Sequence, residues 1–190
     1  MEFIPPAHSP WSNDLLTTVD DVKRWWLQKP NALTDGLRAL GKLQLQVLNE
    51  QACVADASEA WMVGDESARP QLWIREIVMS LDGTPVVAAR SLCDISASLD
   101  QWAAMRGLSN RPLADLLYTD EQISRSAFCH IDASHNAHLQ HLCQAAFNLN
   151  EVAESTYLVR ASKFSRVGQA LIVMECFTPA FWSKFARILG

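Results

Sequence analysis

Two charged side chains inside apolar strand segments are the residues of this chain best suited to do chemistry. Arg75 lies in the segment 72–79, where strand alternation places it on one face with Trp73, Ile77 and Met79. Glu175 lies in the segment 170–177 and shares a face with Leu171, Val173 and Phe177. A buried guanidinium or carboxylate is costly unless a partner compensates its charge. The two residues therefore allow two interpretations: a structural ion pair, or the two poles of a site for a small polar molecule.

Three blocks of sequence, in a fixed order, surround these two charges. They are Trp73-Ile74-Arg75-Glu76-Ile77 with Asp82-Gly83 and Ala89-Arg90-Ser91; Arg111-Pro112-Leu113 ahead of Leu116-Leu117-Tyr118; and Arg160-Ala161-Ser162 leading to Gly168 and the segment 174–179. Together they resemble the chorismate pyruvate-lyase family, over roughly residues 25 to 180. The resemblance implies a lyase that converts chorismate to 4-hydroxybenzoate and pyruvate, the first committed step of ubiquinone ring synthesis, without a metal or a redox cofactor.

The resemblance also implies roles for six residues. Arg75 matches the arginine whose planar fork grips the ring carboxylate, and the backbone amide of Leu113 would meet the same carboxylate. Glu175 matches the glutamate that hydrogen-bonds the ring hydroxyl, and we expect it to assist proton transfer. Arg75 and Glu175 are thus the expected catalytic residues. The remaining three are expected to bind substrate: Leu33, where the family often has a methionine, and Arg125 and Arg160, candidates for the pyruvyl carboxylate. For these two arginines the alternative is a solvent-facing position or a structural ion pair.

The chain departs from the family pattern at two places. Ala161 stands where the family usually has the second arginine of an Arg-Arg-Ser motif, so one cation is missing. Residues 130–155 form an expected helical insertion, which would be either a lid over the pocket or a decorated loop. Four histidines fall in this insertion, with two cysteines nearby: His130, His135, His138, His141, Cys129 and Cys143. Their spacing is not that of a zinc site, so we expect no metal there. The resemblance implies no other cofactor.

Bulk properties limit the classes of partner. A chain of 190 residues is expected to form one domain, residues 1–190. Its net charge of −5 argues against nucleic acid, which binds basic surfaces. The sequence shows no apolar run long enough to span a membrane and no signal segment, so we expect a cytoplasmic protein without stable membrane insertion. Five cysteines without a CxxC motif suggest reduced thiols. The resemblance points to a monomer. A buried product held by both Arg75 and Glu175 should leave slowly, so we expect product inhibition.

The pattern of elements predicts an α+β fold: an antiparallel β-sheet with helical excursions packed on it, chorismate lyase-like. Residues 1–14 should be an irregular N-terminal arm, and 56–70 a polar loop. Strands are expected at 43–48, in a hairpin that turns at Asp82-Gly83, at 122–129, and at 156–166 and 169–177. Helices are expected from near Thr18, and at 35–40, 98–108, 112–117, 134–154 and 181–189.

A binding module of the same fold is the alternative function. The fold resembles the effector-binding domains attached to some bacterial winged-helix regulators. Those regulators carry a basic DNA-binding region ahead of the sensor domain. Here the resemblance begins near residue 25 and the chain is acidic, so we expect the enzyme rather than the non-catalytic sensor of small aromatic acids.

Overall fold

Seven antiparallel strands form one sheet in the computed structural model, which describes residues 3–15, 19–64, 69–147 and 157–189. The strands are β1 Leu43–Val54, β2 Gln71–Leu81, β3 Thr84–Asp94, β4 Ser124–Arg125, β5 Cys129–Asp132, β6 Leu158–Arg166 and β7 Gln169–Phe177. Their spatial order is β1-β2-β3-β7-β6-β4, and β5 also pairs with β6. The predicted antiparallel α+β fold is confirmed.

Two tight hairpins organise the sheet. The β2–β3 hairpin turns at Asp82 and Gly83, whose φ angles are +49° and +82°. Two consecutive residues with positive φ suit the two-residue turn that matches the twist of a hairpin, and Asp-Gly is a favoured pair for it. Val167 and Gly168 form the equivalent turn between β6 and β7, with φ angles of +47° and +79°. Both turns lie where the sequence predicts them.

Six α-helices connect or cover the strands in the described residues. They are α1 Asp21–Gln28, α2 Leu33–Arg38, α3 Ala57–Val63, α4 Ala114–Leu117, α5 Ala137–Phe147 and α6 Pro179–Lys184, with short 3₁₀ turns at Ala97–Leu99, Ala103–Gly107 and Ala133–His135. The Asp20 side chain accepts a hydrogen bond from the Lys23 amide, so α1 begins later than expected. The expected start at Thr18 lies outside the described residues. None of the described helices is long and apolar enough to span a bilayer.

The two faces of the sheet carry different cores. Leu72, Ile74 and Val78 of β2 pack on one face with α3, α5 and the N-terminal arm. Ile77 and Met79 point to the other face and pack with α1, α2 and α6 in a second apolar cluster. A third cluster lies on this same face, around Trp102, Met105 and α4. The space between the second and third clusters is where Arg75 and Glu175 project.

Four element predictions are wrong. The expected loop at 56–70 contains α3, which Asp56 caps and Gly64 ends with a φ of +94°. The expected helix at 98–108 is two short 3₁₀ turns. The expected strand at 122–129 is divided into β4 and β5, because residues 126–128 lie opposite only two residues of β6 and interrupt the regular pairing, although the Ser126 amide still donates to the Lys163 carbonyl. The terminal helix ends at Lys184 rather than continuing to residue 189.

The expected insertion at 130–155 has two parts. His130, Ile131 and Asp132 belong to β5 and pair with β6, so they are part of the sheet. Helix α5 follows and buries Leu139 and Leu142 against the face of the sheet opposite Arg75. The described part of the insertion therefore does not cover the space above Arg75 and Glu175. Residues 148–155, the rest of the expected helical insertion, lie outside the described residues.

Candidate active site

One cavity between the second and third apolar clusters brings all six predicted site residues together. It holds about 560 Å³ of empty space, including its open mouth. Leu33, Arg75, Leu113, Arg125, Arg160 and Glu175 all line it. Its charged lining consists of three arginines and one glutamate, so the cavity is electropositive and suited to an anion.

The register of the sheet explains how Arg75 and Glu175 share this cavity. Arg75 lies opposite Ser91 of β3, and Glu175 lies opposite Ala89 of the same strand. The two charges are therefore two strands apart, about 10 Å across the sheet. Ala89 and Ser91 have small side chains, which leave room above β3. The cavity is thus the space that large residues at these two positions would fill.

Arg75 forms one pole of the cavity and is 1% exposed. Its Nε donates to Glu50 at 2.9 Å, and its Nη2 donates to the carbonyls of Ser109 (2.7 Å) and Arg111 (3.2 Å). Burial lowers the pKa of Arg75, and Glu50 opposes that effect. Its Nη1 donates no hydrogen bond to any of the described residues, so one edge of the guanidinium is left for a ligand.

The Leu113 amide lies in the same part of the cavity. Arg75 holds the carbonyls of Ser109 and Arg111, which fixes the segment just before Leu113. Leu113 is 7% exposed and precedes the first residue of α4. Within the described ranges its backbone N–H has no hydrogen-bond acceptor. A buried amide without a partner is costly, and a ligand carboxylate held by Arg75 would supply the acceptor.

Glu175 forms the other pole, and its partner is Arg160. The Arg160 Nε donates to the Glu175 Oε2 at 2.6 Å, and the two residues are also paired in the β6–β7 register. Arg160 Nη1 donates to the carbonyls of Trp26 and Lys29, which ties the end of α1 to the sheet. Glu175 and Arg75 each have a different partner, so the interpretation as a mutual ion pair is wrong. Both charges instead face one cavity.

Two arginines surround one aromatic ring beside Glu175. The guanidinium carbons of Arg125 and Arg160 lie 4.5 and 4.4 Å from the centroid of Phe128. Positive charge is concentrated here, and it also acts on the ammonium group of the neighbouring Lys29. Burial lowers the pKa of Lys29, and repulsion from Arg160 lowers it further. This end of the cavity is therefore the more favourable one for a second negative group.

The walls of the cavity are mostly apolar, and several of their residues were missed by the sequence prediction. Ile77 and Met79, which share the strand face of Arg75, line it, whereas Trp73 of the same face instead packs under Arg106, whose guanidinium lies 3.9 Å from the centroid of the Trp73 ring. Missed residues that line the cavity are Thr34, Leu45, Ala89, Ser91, Pro112, Ala114, Leu117, Tyr118, Phe128, Ser162, Phe164 and Val173. Six of them belong to the family motif, which was the available signal for them: Ala89, Ser91, Pro112, Leu117, Tyr118 and Ser162.

The face of the sheet opposite the cavity carries a separate charge cluster. Arg90 donates to both oxygens of Glu59, at 2.6 and 3.0 Å, and also pairs with Glu76. Burial alone would lower the pKa of Arg90, but the two carboxylates outweigh it and raise the pKa. Ala161 also lies on this face, in the core with α5. The arginine that the family motif has at this position would therefore not face the cavity.

The histidines of the insertion do not converge. His138 contacts Asp56 at 2.8 Å and Glu59 at 3.7 Å, and these three residues are the one potential metal-binding group found in the described residues. His130 instead lies in β5 beside Arg160. Arg90 already neutralises Glu59 in this group. All five cysteines are free thiols, as expected.

Comparison with solved structures supports the fold. The ligand-binding domain of a putative GntR-family transcriptional regulator from Bordetella bronchiseptica matches 79% of this chain and 88% of its own, with a TM-score of 0.52 and 11% identity. A GntR-family transcriptional regulator from Bacillus cereus matches 79% of this chain and all of its own, with a TM-score of 0.52 and 10% identity. At these identities the likeness concerns the fold alone.

Comparison with related sequences is more specific. The family profile described as chorismate lyase matches residues 8–187. A probable chorismate pyruvate-lyase of Bordetella pertussis is 42% identical over 182 residues, which cover 95% of this chain and 93% of that protein. Probable chorismate pyruvate-lyase 1 of Pseudomonas fluorescens is 37% identical over 174 residues, which cover 92% and 91%. The chain therefore belongs to the chorismate lyase family of enzymes.

Proposed function

We propose that this protein converts chorismate to 4-hydroxybenzoate and pyruvate, and so catalyses the first committed step of ubiquinone ring synthesis. One observation carries the proposal: Arg75 and Glu175 face the same cavity without pairing with each other. A flat ring with a carboxylate at one end and a hydroxyl at the other fits two such poles. The names of the related proteins support the same activity.

The reaction requires the protein to orient the substrate more than to activate it chemically. The ether bond between the ring and the enolpyruvyl group breaks, and a ring hydrogen is lost as a proton. The ring becomes aromatic, and the released enolpyruvate takes up a proton to become pyruvate, so atoms and electrons balance without an added oxidant. Because aromatisation supplies driving force, holding the substrate in a reactive geometry and excluding water are the main tasks of the protein.

Arg75 and the Leu113 amide would bind the ring carboxylate. The unpaired Nη1 of Arg75 and the unpaired N–H of Leu113 are two donors that a carboxylate can accept from at once. Charge-assisted hydrogen bonds of this kind are the strong ones. The bonds from Arg75 to Glu50 and to the two carbonyls leave the guanidinium little freedom, so the donor is pre-oriented before the substrate arrives.

Glu175 would address the ring hydroxyl at the other pole. Its carboxylate is fixed by Arg160 and can accept a hydrogen bond from the hydroxyl. A carboxylate held next to the ring is also the group placed to assist removal of the ring proton. Arg125, with the positive charge around Phe128, is then suited to the enolpyruvyl carboxylate. Leu33, Leu113 and Leu117 cover the ring and exclude water from it.

Incubation with chorismate tests the proposal. The purified protein, with a chelator and no added cofactor, is expected to form equal amounts of 4-hydroxybenzoate, followed by chromatography, and pyruvate, followed by a coupled assay. Product held at both poles should leave slowly, so added 4-hydroxybenzoate should inhibit. We expect the protein to act as a cytoplasmic monomer. Tight binding of 4-hydroxybenzoate by folded protein without turnover would refute the lyase and favour a non-catalytic sensor of small aromatic acids.

A further inference from the structure

Arg125 differs from the other arginines of the cavity in having no carboxylate partner. Arg75 pairs with Glu50, and Arg160 pairs with Glu175. Within the described part of the chain, no Asp or Glu lies within 4.0 Å of the Arg125 guanidinium. Arg125 is therefore the uncompensated cation of the cavity, and a second negative group of a ligand would restore the balance of charge.

The hydrogen bond that fixes Arg125 comes from a tyrosine. Arg125 Nη1 donates to the Tyr118 hydroxyl at 2.9 Å, and this is the one side-chain hydrogen bond of Arg125 among the described residues. The same hydroxyl donates to the Asn31 carbonyl at 3.0 Å. With its own proton used on Asn31, the oxygen can offer only a lone pair to Arg125. Burial raises the pKa of Tyr118, so the phenol keeps its proton at neutral pH.

The position of the ring is secured independently of the hydroxyl. Tyr118 packs edge-on against Phe164, with the ring centroids 6.0 Å apart. Arg125 lies over Phe128. This contact fixes the distance between the guanidinium and the ring, but it leaves the guanidinium free to rotate in its own plane. The bond to Tyr118 sets that rotation and so decides which edge of Arg125 faces the cavity.

We propose that Tyr118 is a positioning residue that orients Arg125 for the second carboxylate of the substrate. This inference rests on the proposed function, and it deepens it by naming the residue through which the site makes a contact to the dicarboxylate substrate that the monocarboxylate product does not make. Chorismate carries two carboxylates, whereas 4-hydroxybenzoate carries one. Removal of the Tyr118 hydroxyl therefore weakens binding of the substrate and leaves binding of the product unchanged.

The substitution Tyr118→Phe tests this split, because it removes the hydroxyl and keeps the ring. The KM for chorismate is expected to rise about fivefold, the effect of one hydrogen bond. The affinity for 4-hydroxybenzoate, measured by calorimetry, is expected to stay within about twofold of wild type. If wild-type protein binds both ligands without turnover, the proposed function fails. The dissociation constant for chorismate is then measured in place of KM, and the effects of Tyr118→Phe on the two ligands can still be compared.

A double-mutant cycle with Arg125→Gln separates positioning from general loosening. If Tyr118 acts through Arg125, Tyr118→Phe has no further effect on chorismate in the Arg125→Gln protein. Thermal unfolding of each variant checks that the fold is retained. An equal loss of affinity for both ligands would overturn the proposal, since the hydroxyl would then act by joining Asn31 to α4. Independent effects in the cycle, or no binding of either ligand by wild type, would overturn it as well.

Discussion

Replacement of Arg75 by lysine tests whether Arg75 binds the ring carboxylate, on which the proposed function depends. The change keeps a positive charge but removes the planar fork. Arg75 uses Nε for Glu50 and Nη2 for the carbonyls of Ser109 and Arg111, and it leaves Nη1 to the cavity. A single ammonium cannot serve all these directions. Alanine is a poorer test, because it would leave Glu50 unpaired and free the segment that carries the Leu113 amide.

The expected magnitude follows from the hydrogen bond that lysine cannot make. A hydrogen bond to a charged group contributes about 1.5–3 kcal/mol. Loss of that contribution in the transition state lowers kcat/KM for chorismate by about 10- to 150-fold. Because the same bond holds the carboxylate of the product, the affinity for 4-hydroxybenzoate falls as well.

Steady-state kinetics with chorismate and calorimetry with 4-hydroxybenzoate measure the two effects. Arg106→Lys is a matched control, since Arg106 packs over Trp73 on the same sheet face but outside the cavity. The control is expected to keep wild-type kinetics. Urea unfolding shows whether either variant is destabilised. Turnover of chorismate by Arg75→Lys within twofold of wild type would refute the assignment of Arg75 to the ring carboxylate.

Three further predictions concern the amide, the opposite face and pH. Leu113→Pro removes the N–H at a residue whose φ of −62° proline accepts, whereas Leu113→Val shortens the side chain and keeps the N–H. Calorimetry should show about fivefold weaker binding of 4-hydroxybenzoate by the proline variant than by the valine variant, and equal binding by the two folded variants would exclude the amide. Glu59→Ala removes the bidentate partner of Arg90 but leaves its pair with Glu76, so urea unfolding should show a loss of about 1.5–3 kcal/mol, with the KM for chorismate unchanged. Burial lowers the pKa of His130, and repulsion from Arg160 lowers it further. As the pH falls, the His130 imidazole is therefore protonated in the unfolded chain before it is protonated in the folded protein. The free energy of unfolding consequently decreases as the pH drops below about 6.5. His130→Gln should reduce the change in the free energy of unfolding between about pH 7.5 and 5, measured by denaturant titration. The same substitution at the exposed His135 is the control and should leave that change as in wild type. An equal dependence on pH in the two variants would contradict the reasoning.

The candidate site could be predicted from sequence to the extent that it depends on local pattern. Strand alternation placed Arg75 with Ile77 and Met79, and the family resemblance identified five more residues of the cavity lining: Leu33, Leu113, Arg125, Arg160 and Glu175. The tyrosine that contacts Arg125 was within a quoted motif, but nothing in the spacing of the two residues showed that they touch. Contacts between side chains of different elements depend on how those elements pack.

The partner of Arg75 shows what only the register of the sheet could decide. Alternation from Leu43 through Val47 would place Glu50 on the face away from the cavity. The β1–β2 register shifts between Val47 and Asn49, and Glu50 then lies opposite Arg75. Such a bulge moves every later side chain of the strand to the other face. No local feature of β1 required it.

The sequence by itself determined the hairpins, the two faces of β2 and the apolar residues of each face, because turn chemistry and a period of two act within a few residues. The tertiary structure decided that Glu175 pairs with Arg160, that α5 packs on the face opposite the cavity, and that the cavity lies above Ala89. Each of these depends on strand order and on the space left between packed clusters. A buried charge can be predicted from the sequence, but the residue that pairs with it depends on the tertiary structure.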